Sequence, residues 1–195
     1  MNSAKTIFTI LILLTFAANT FAAEKLKPLP IIQDIFTKAS SREFKKSKTL
    51  QKMVSHYFDY DKMGVTILAQ FASKQSSSDI SWFKNTIKGI ITRTVYPEAR
   101  EFLSKVKITH QLEEETKDSV QVLTLIKKRG EETEILSDFV KESSKWRIIN
   151  ISIDDESWVE NIQEQVHKTI KEKGWIELRK SLSKRLNELI QEGRG

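Results

Sequence analysis

His56, His110 and His167, together with Asp59 and Asp61 in the string HYFDYDKM, are the first residues to weigh for acid–base or metal chemistry. The histidines fall on three separate predicted elements, and none has a carboxylate or second histidine at a ligand spacing, so the pattern argues against metal ligation. His110 alternates in phase with Val106 and Ile108, which suits a hydrogen-bonded histidine at the rim of a core better than a general base. The two aspartates stand where a helix must begin, and capping its free N–H groups accounts for them without further assumption. There is no nucleophile elbow or phosphate-cradling glycine loop. The chain has no cysteine and only six glycines. These residues give no argument for an enzyme and call for no cofactor.

The elements that carry these residues divide the chain in two. AEKLKPLP, residues 23 to 30, holds two of the three prolines and reads as extended. Ile31, Ile32, Ile35, Phe36 and Ala39 then recur at helical spacing, predicting a helix to about Lys46. Further helices are expected from near Thr49, with Leu50, Met53, Val54, Tyr57 and Phe58 on one side, and after Asp59 or Asp61, with Met63, Ile67, Leu68 and Phe71. A fourth starts at Ser78 or Asp79, with Trp82, Phe83, Ile87, Ile90, Ile91 and Val95, and Pro97 ends or kinks it. From Ser104 the period changes to two, as in a strand. Val106 to Leu112, Val120 to Ile126, Thr133 to Lys141 and Trp146 to Ile153 are joined by short polar turns and predict a four-stranded antiparallel meander. In the last strand Ile149, Ile151 and Ile153 are expected on one face, with Trp146 and Ile148 on the other. Apolar residues on both faces of the second and fourth strands imply partial cover on both sides. Two helices, Ser157 to Lys173 and Trp175 to Glu192, are expected to supply it, separated by Gly174 as an αL stop. The fold class is α+β, a curved four-stranded antiparallel sheet packed with about six helices.

The opening MNSAKTIFTILILLTFAANTFA has a lysine, an apolar run of about 12 residues and small residues before Ala23, the pattern of a secretory signal peptide cut after Ala22. Lys5 is its only charge, so residues 23 to 195 carry five more basic than acidic residues. The acids are interspersed with the bases, as in EEETKD and KKRGEETE, which argues against nucleic acid as a partner. An anionic membrane surface or lipid headgroup remains compatible with the excess. An exported chain without disulfides must hold together by packing alone, and residues 23 to 195 suffice for one domain.

Several strings, in order, resemble the MlaC or toluene-tolerance family of periplasmic phospholipid-binding proteins. HYFDYDKMGVTILAQF, residues 56 to 71, is similar to the family's aromatic–acid–aromatic–acid segment leading to a helix. WFKNTIKGIITRTVYPEA, residues 82 to 99, is similar to its next helix, with Phe83, Ile87, Ile91 and Tyr96 at matching places. Trp146 and Arg147, then Ile149, Ile151 and Ile153, then Ser157, Val159 and Asn161 match its strand, turn and helix, and Gly174 with LRKSLSKRL fits its final helix. The chain departs from the pattern at Asn150, where Asp is usual, and at Asp155–Glu156, which replace a glycine–hydrophobic pair.

What the resemblance implies is a non-catalytic periplasmic carrier whose sheet and helices enclose acyl chains. Its partners would be phospholipid, an inner-membrane ABC transporter complex with an MCE-type substrate-binding protein, and an outer-membrane lipoprotein complex. The carrier would work as a monomer and maintain outer-membrane lipid asymmetry; hopanoid-linked members share the pattern. On this reading Phe83, Ile87, Ile91 and Val95 from the helix, with Val106, Ile108, Val122, Phe139, Ile149 and Ile151 from the sheet, line the lipid cavity. Two alternatives of other classes remain. One is a small cone-shaped enzyme of the nuclear-transport-factor-like or polyketide-cyclase type, with His110 and Asp138 as its acid–base pair. The other is a partner-binding protein with a solid core.

Overall fold

The computed structural model describes residues 27–193; the segment read as a signal peptide lies outside them. Helices α1 (Pro28–Ala39), α2 (Lys48–Ser55), α3 (Tyr60–Leu68) and α4 (Ser77–Phe102) precede the strands, with a 3-10 turn over Ala69–Lys74 before α4. Strands β1 (Lys107–Glu115), β2 (Ser119–Lys128), β3 (Glu131–Glu142), β4 (Lys145–Ile153) and β5 (Glu156–Ser157) follow, and α5 (Trp158–Glu192) closes the chain.

The helix boundaries follow local chemistry. α1 starts at Pro28, inside the stretch expected to be extended, because proline's fixed φ and missing N–H suit the first helical position. It stops at Ala39, short of the expected Lys46, and the turns that follow bring Phe44 to full burial. Ser47, Asp59, Ser76 and Ser157 cap α2, α3, α4 and α5, each side chain accepting from a backbone N–H three residues on. Ser76, rather than Ser78 or Asp79, is therefore the cap of α4. Pro97 sits inside α4, which continues to Phe102.

The strands form one open antiparallel sheet in the order β1-β2-β3-β4-β5. Tight turns join β2 to β3, β3 to β4 and β4 to β5. Their paired positive φ values fall at Arg129 and Gly130, Ser143 and Ser144, and Asp154 and Asp155, the geometry that matches a two-residue loop to the right-handed strand twist. Asp154 steadies the last turn by accepting from the Glu134 N–H. Among the described residues, five strands and five α-helices correct the expected four and six. β5 is two residues long, too short for any periodicity to announce, and the two C-terminal helices run as one element broken at Gly174.

Gly174 has φ 82° and ψ 171°, a region closed to residues with a side chain. Gly174→Ala meets no neighbouring atom, so its whole effect should come from the backbone. The expected loss is about 1–3 kcal/mol of unfolding free energy by urea titration; an unchanged midpoint would show that the bend relaxes freely.

Two apolar clusters form the core. One lies between α1, Phe44, α2, the C-terminal half of α4 and the inner face of the sheet, and includes Val120, Val122, Ile126, Ile135, Phe139 and Ile148. The other lies between α3, the N-terminal half of α4 and both halves of α5. Across its surface Arg179 pairs with Asp79 and covers the Trp82 ring at 4.5 Å. The opposite face of the sheet, with Gln121, Leu123, Leu136 and Ser152, borders a shallow groove rimmed by Glu113, Glu114, Glu134 and Asp155. The helices pack chiefly on one face of the sheet instead of covering both.

Candidate functional site

A cavity of about 290 Å³ lies between the helices and the inner face of the sheet. α1 contributes Ile32, Ile35, Phe36 and Ala39; α4 contributes Ile91, Val95, Tyr96, Ala99 and Phe102, with Leu103 just past its end; Phe44, Val54 and Phe58 add to the lining. Ile135 and Ser137 from β3, with Ile148, Ile151 and Ile153 from β4, form the sheet wall, and Trp158 stands at the start of α5. Phe102, 41% exposed, and the exposed Glu98 mark where the cavity approaches solvent. The walls are almost wholly hydrocarbon. The Ser137 hydroxyl is fully buried among them and has no hydrogen-bond partner among the described residues.

Of the residues expected to line a cavity, Ile91, Val95 and Ile151 do so. Ile87 and Phe83 lie one and two turns before Ile91 in α4 and belong to the second cluster, because the helix crosses from one apolar layer to the other. Val122 and Phe139 are fully buried in the first cluster, and Val106 and Ile108 pack half-buried against it; none of the four borders the cavity. Ile149 does not border it either. The pairing of β3 with β4 shifts register between Asp138 and Phe139: Asp138 faces Asn150, and Phe139 faces Ile148. Ile149 is the extra residue of this β-bulge, so the inward series reads Ile148, Ile151, Ile153. The expected pattern of Ile149 with Ile151 and Ile153, opposite Ile148, is corrected accordingly. The α1 stripe was visible as a helix face, but nothing in its spacing distinguished a cavity wall from filled core.

A strap, Tyr57 to Asp59, runs along the outer edge of β4. The Asp59 N–H donates to the Ile148 carbonyl at 2.8 Å, and the Ile148 N–H donates to the Tyr57 carbonyl at 2.9 Å. The Tyr57 hydroxyl donates to Asp34 of α1 at 2.7 Å. Burial, then the hydrogen bond and charge of Asp34, push the Tyr57 hydroxyl up to about 12. Burial alone would raise the Asp34 carboxyl, but hydrogen bonds from Lys38 and Tyr57 outweigh it and hold the group below its ordinary value. Nearby, the hydroxyls of Ser55 and Tyr96 are 2.8 Å apart and those of Tyr60 and Tyr96 3.3 Å apart, tying α2, α3 and α4 together. Burial is the main reason the Tyr60 hydroxyl resists ionisation, with the Tyr96 hydroxyl adding to it.

On the outer side of the strap lies an open groove of about 720 Å³. Lys52, His56, Lys84, Lys88 and Arg147 border it, with Asp59, Asp61 and the exposed Met53. Phe58 and Tyr60 belong to both the groove and the cavity, and their rings stack 5.5 Å apart. Burial and the charges of Arg147 and Lys145 hold His56 below its ordinary value.

His110 and Asp138 do not form an acid–base pair. The His110 Nδ1 lies 2.9 Å from the Thr124 hydroxyl, and its ring meets Phe36 edge-on at 5.2 Å. Asp138 accepts from Gln121 and Asn150. Gln121 and Thr124 are three residues apart on β2 and point to opposite faces of the sheet. Burial lowers the His110 imidazole below 6.5. Between that lowered value and 6.5 the unfolded chain takes a proton that the folded chain refuses, so the stability contributed is full above pH 6.5 and is lost as pH falls below it. His110→Gln should therefore flatten the fall in unfolding free energy below pH 6.5, read by urea titration at several pH values. A slope as steep as that of the parent chain would place the titration elsewhere.

The family model described as MlaC protein matches residues 29–184. A solved phospholipid-binding protein from Ralstonia solanacearum, in complex with a phospholipid, shares the fold with a TM-score of 0.70 and 13% sequence identity, over 82% of this chain and 94% of that one. Among curated proteins nothing matches.

Proposed function

This chain belongs to the MlaC family, and from that premise we propose that it is a periplasmic phospholipid carrier that shelters acyl chains between α1, α4 and the sheet. It binds without catalysis, and it passes lipid between an inner-membrane ABC transporter complex, through an MCE-type protein, and an outer-membrane lipoprotein complex. The observation that carries the reading is the hydrocarbon-walled cavity, in a fold shared with a protein solved with phospholipid in place.

The energetics explain why a carrier must enclose its cargo. At ~0.8 kcal/mol per methylene, two acyl tails of about thirty methylenes resist water by roughly 20–25 kcal/mol. The cavity of about 290 Å³ is near twice the ~150 Å³ that holds one benzene in an engineered apolar cavity. That is room for part of one tail, so a whole lipid requires α1 and α4 to move away from the sheet, and a membrane partner can drive release by favouring the looser state.

Protein expressed with its leader and purified from the periplasm should carry lipid detectable by native mass spectrometry and should take up labelled phospholipid from vesicles. A lipid-free spectrum together with no uptake would refute the carrier role.

A further inference from the structure

The groove outside the Phe58–Tyr60 wall has a charge pattern that the hydrocarbon cavity does not explain. Lys52, Lys84, Lys88 and Arg147 border it against Asp59 and Asp61. Both carboxylates are engaged: Asp61 pairs with Lys84 at 2.9 Å, and Asp59 caps α3 by accepting from the Lys62 N–H at 2.8 Å. Glu142, beside Arg147 and Asp59, is held by Lys62 at 2.9 Å. Among the described residues no carboxylate lies within ion-pair distance of Lys52, Lys88 or Arg147.

These cations are positioned by the fold. The Arg147 guanidinium donates to the His56 carbonyl and lies 3.3 Å from His56 Nε2, which fixes its plane at the end of the strap. The Lys88 ammonium sits 5.3 Å over the Tyr60 ring, directly above the wall shared with the cavity. A planar guanidinium and two ammonium groups without carboxylate partners border one concavity, a set of charge-assisted donors that suits phosphate oxygens. Phe58, Tyr60 and Met53 give the same groove an apolar floor, so it suits an amphipathic phosphate ester.

We propose that this groove binds the phosphate of the lipid whose tails occupy the cavity. The inference rests on the carrier reading and adds a recognition element to it. The lipid crosses the wall where Phe58 and Tyr60 stack, phosphate outside and hydrocarbon inside. Lipid class is then read by charge in the groove, while the cavity reads only tail length and bulk.

The test compares dihexanoyl phosphatidylglycerol with dihexanoylglycerol, which has the same tails and no phosphate, and adds inorganic phosphate as a third probe. Lys52→Gln with Lys88→Gln removes two cations that hold no ion pair, so folding should be spared. The phospholipid should bind about tenfold more weakly, the loss of one or two charge-assisted contacts, and dihexanoylglycerol binding should not change. Arg147→Gln, in a separate chain, should do the same. Equal binding of the phospholipid by parent and variants overturns the proposal. If inorganic phosphate alone shifts the His56 ring resonances of the parent while the lipid ratio stays constant, the groove takes free phosphate and the lipid-borne assignment falls. If the parent binds neither lipid, the carrier reading falls with it.

Discussion

Ile151→Glu should leave the protein folded and strip it of lipid, whereas Ile149→Glu, two residues earlier on the same strand, should leave lipid retention unchanged. Ile151 lines the cavity and Ile149 is the unpaired residue of the bulge, half-buried and in contact with neither apolar cluster. A carboxylate facing hydrocarbon must ionise against it or shed its charge; at about 3 kcal/mol for the burial, lipid affinity should fall about a hundredfold. A short-chain phospholipid titration, with lipid counted per protein by mass spectrometry, reads both variants. Equal losses in the two would mean that the bulge does not set which isoleucine meets the lipid.

Phe44→Ala should have the largest effect on stability. Phe44 has no accessible surface, its ring lies 5.2 Å from that of Tyr96, and it walls the cavity. Truncation of such a phenyl group costs about 3–5 kcal/mol when the gap stays empty. Here the gap would join the existing cavity, so a bound acyl chain can fill it. Urea unfolding should show the full loss in lipid-free protein and a smaller one with saturating short-chain phospholipid, beyond the stabilisation that ligand gives the parent chain. A loss below about 1 kcal/mol, or the same ligand increment in both chains, would contradict this account.

Period and punctuation made most of the architecture legible. The change from helical to strand spacing near Ser104 located the sheet, and the turn residues located its hairpins. What escaped were features that depend on pairing. The bulge at Ile149 puts Ile148 in its place at the start of the inward series, and no alternation of apolar residues reveals where a partner strand skips one. β5 exists only because Glu156 and Ser157 meet Ile153 and Ser152 after a tight turn. The α4 stripe runs unbroken from Trp82 to Val95 in sequence, yet its two halves serve different layers. The neighbours that separate them, α1 on one side and α5 on the other, are remote in the chain. His110 and Asp138 were matched by residue type alone, and the pleat put them back to back.

The strap from Tyr57 to Asp59 has a consequence for misassembly. An open sheet offers unpaired N–H and C=O groups along its outermost strands, a template onto which another chain can dock and polymerise. At β4 the strap occupies that template around Ile148, and β5 occupies it at Ser152 and Ile153. On the other flank β1 ends in Glu113, Glu114 and Glu115, whose mutual repulsion discourages an incoming strand. On the proposed carrier mechanism, helices that swing away to admit a guest leave both flanks of the sheet guarded, so loosening does not become the first step toward a fibril.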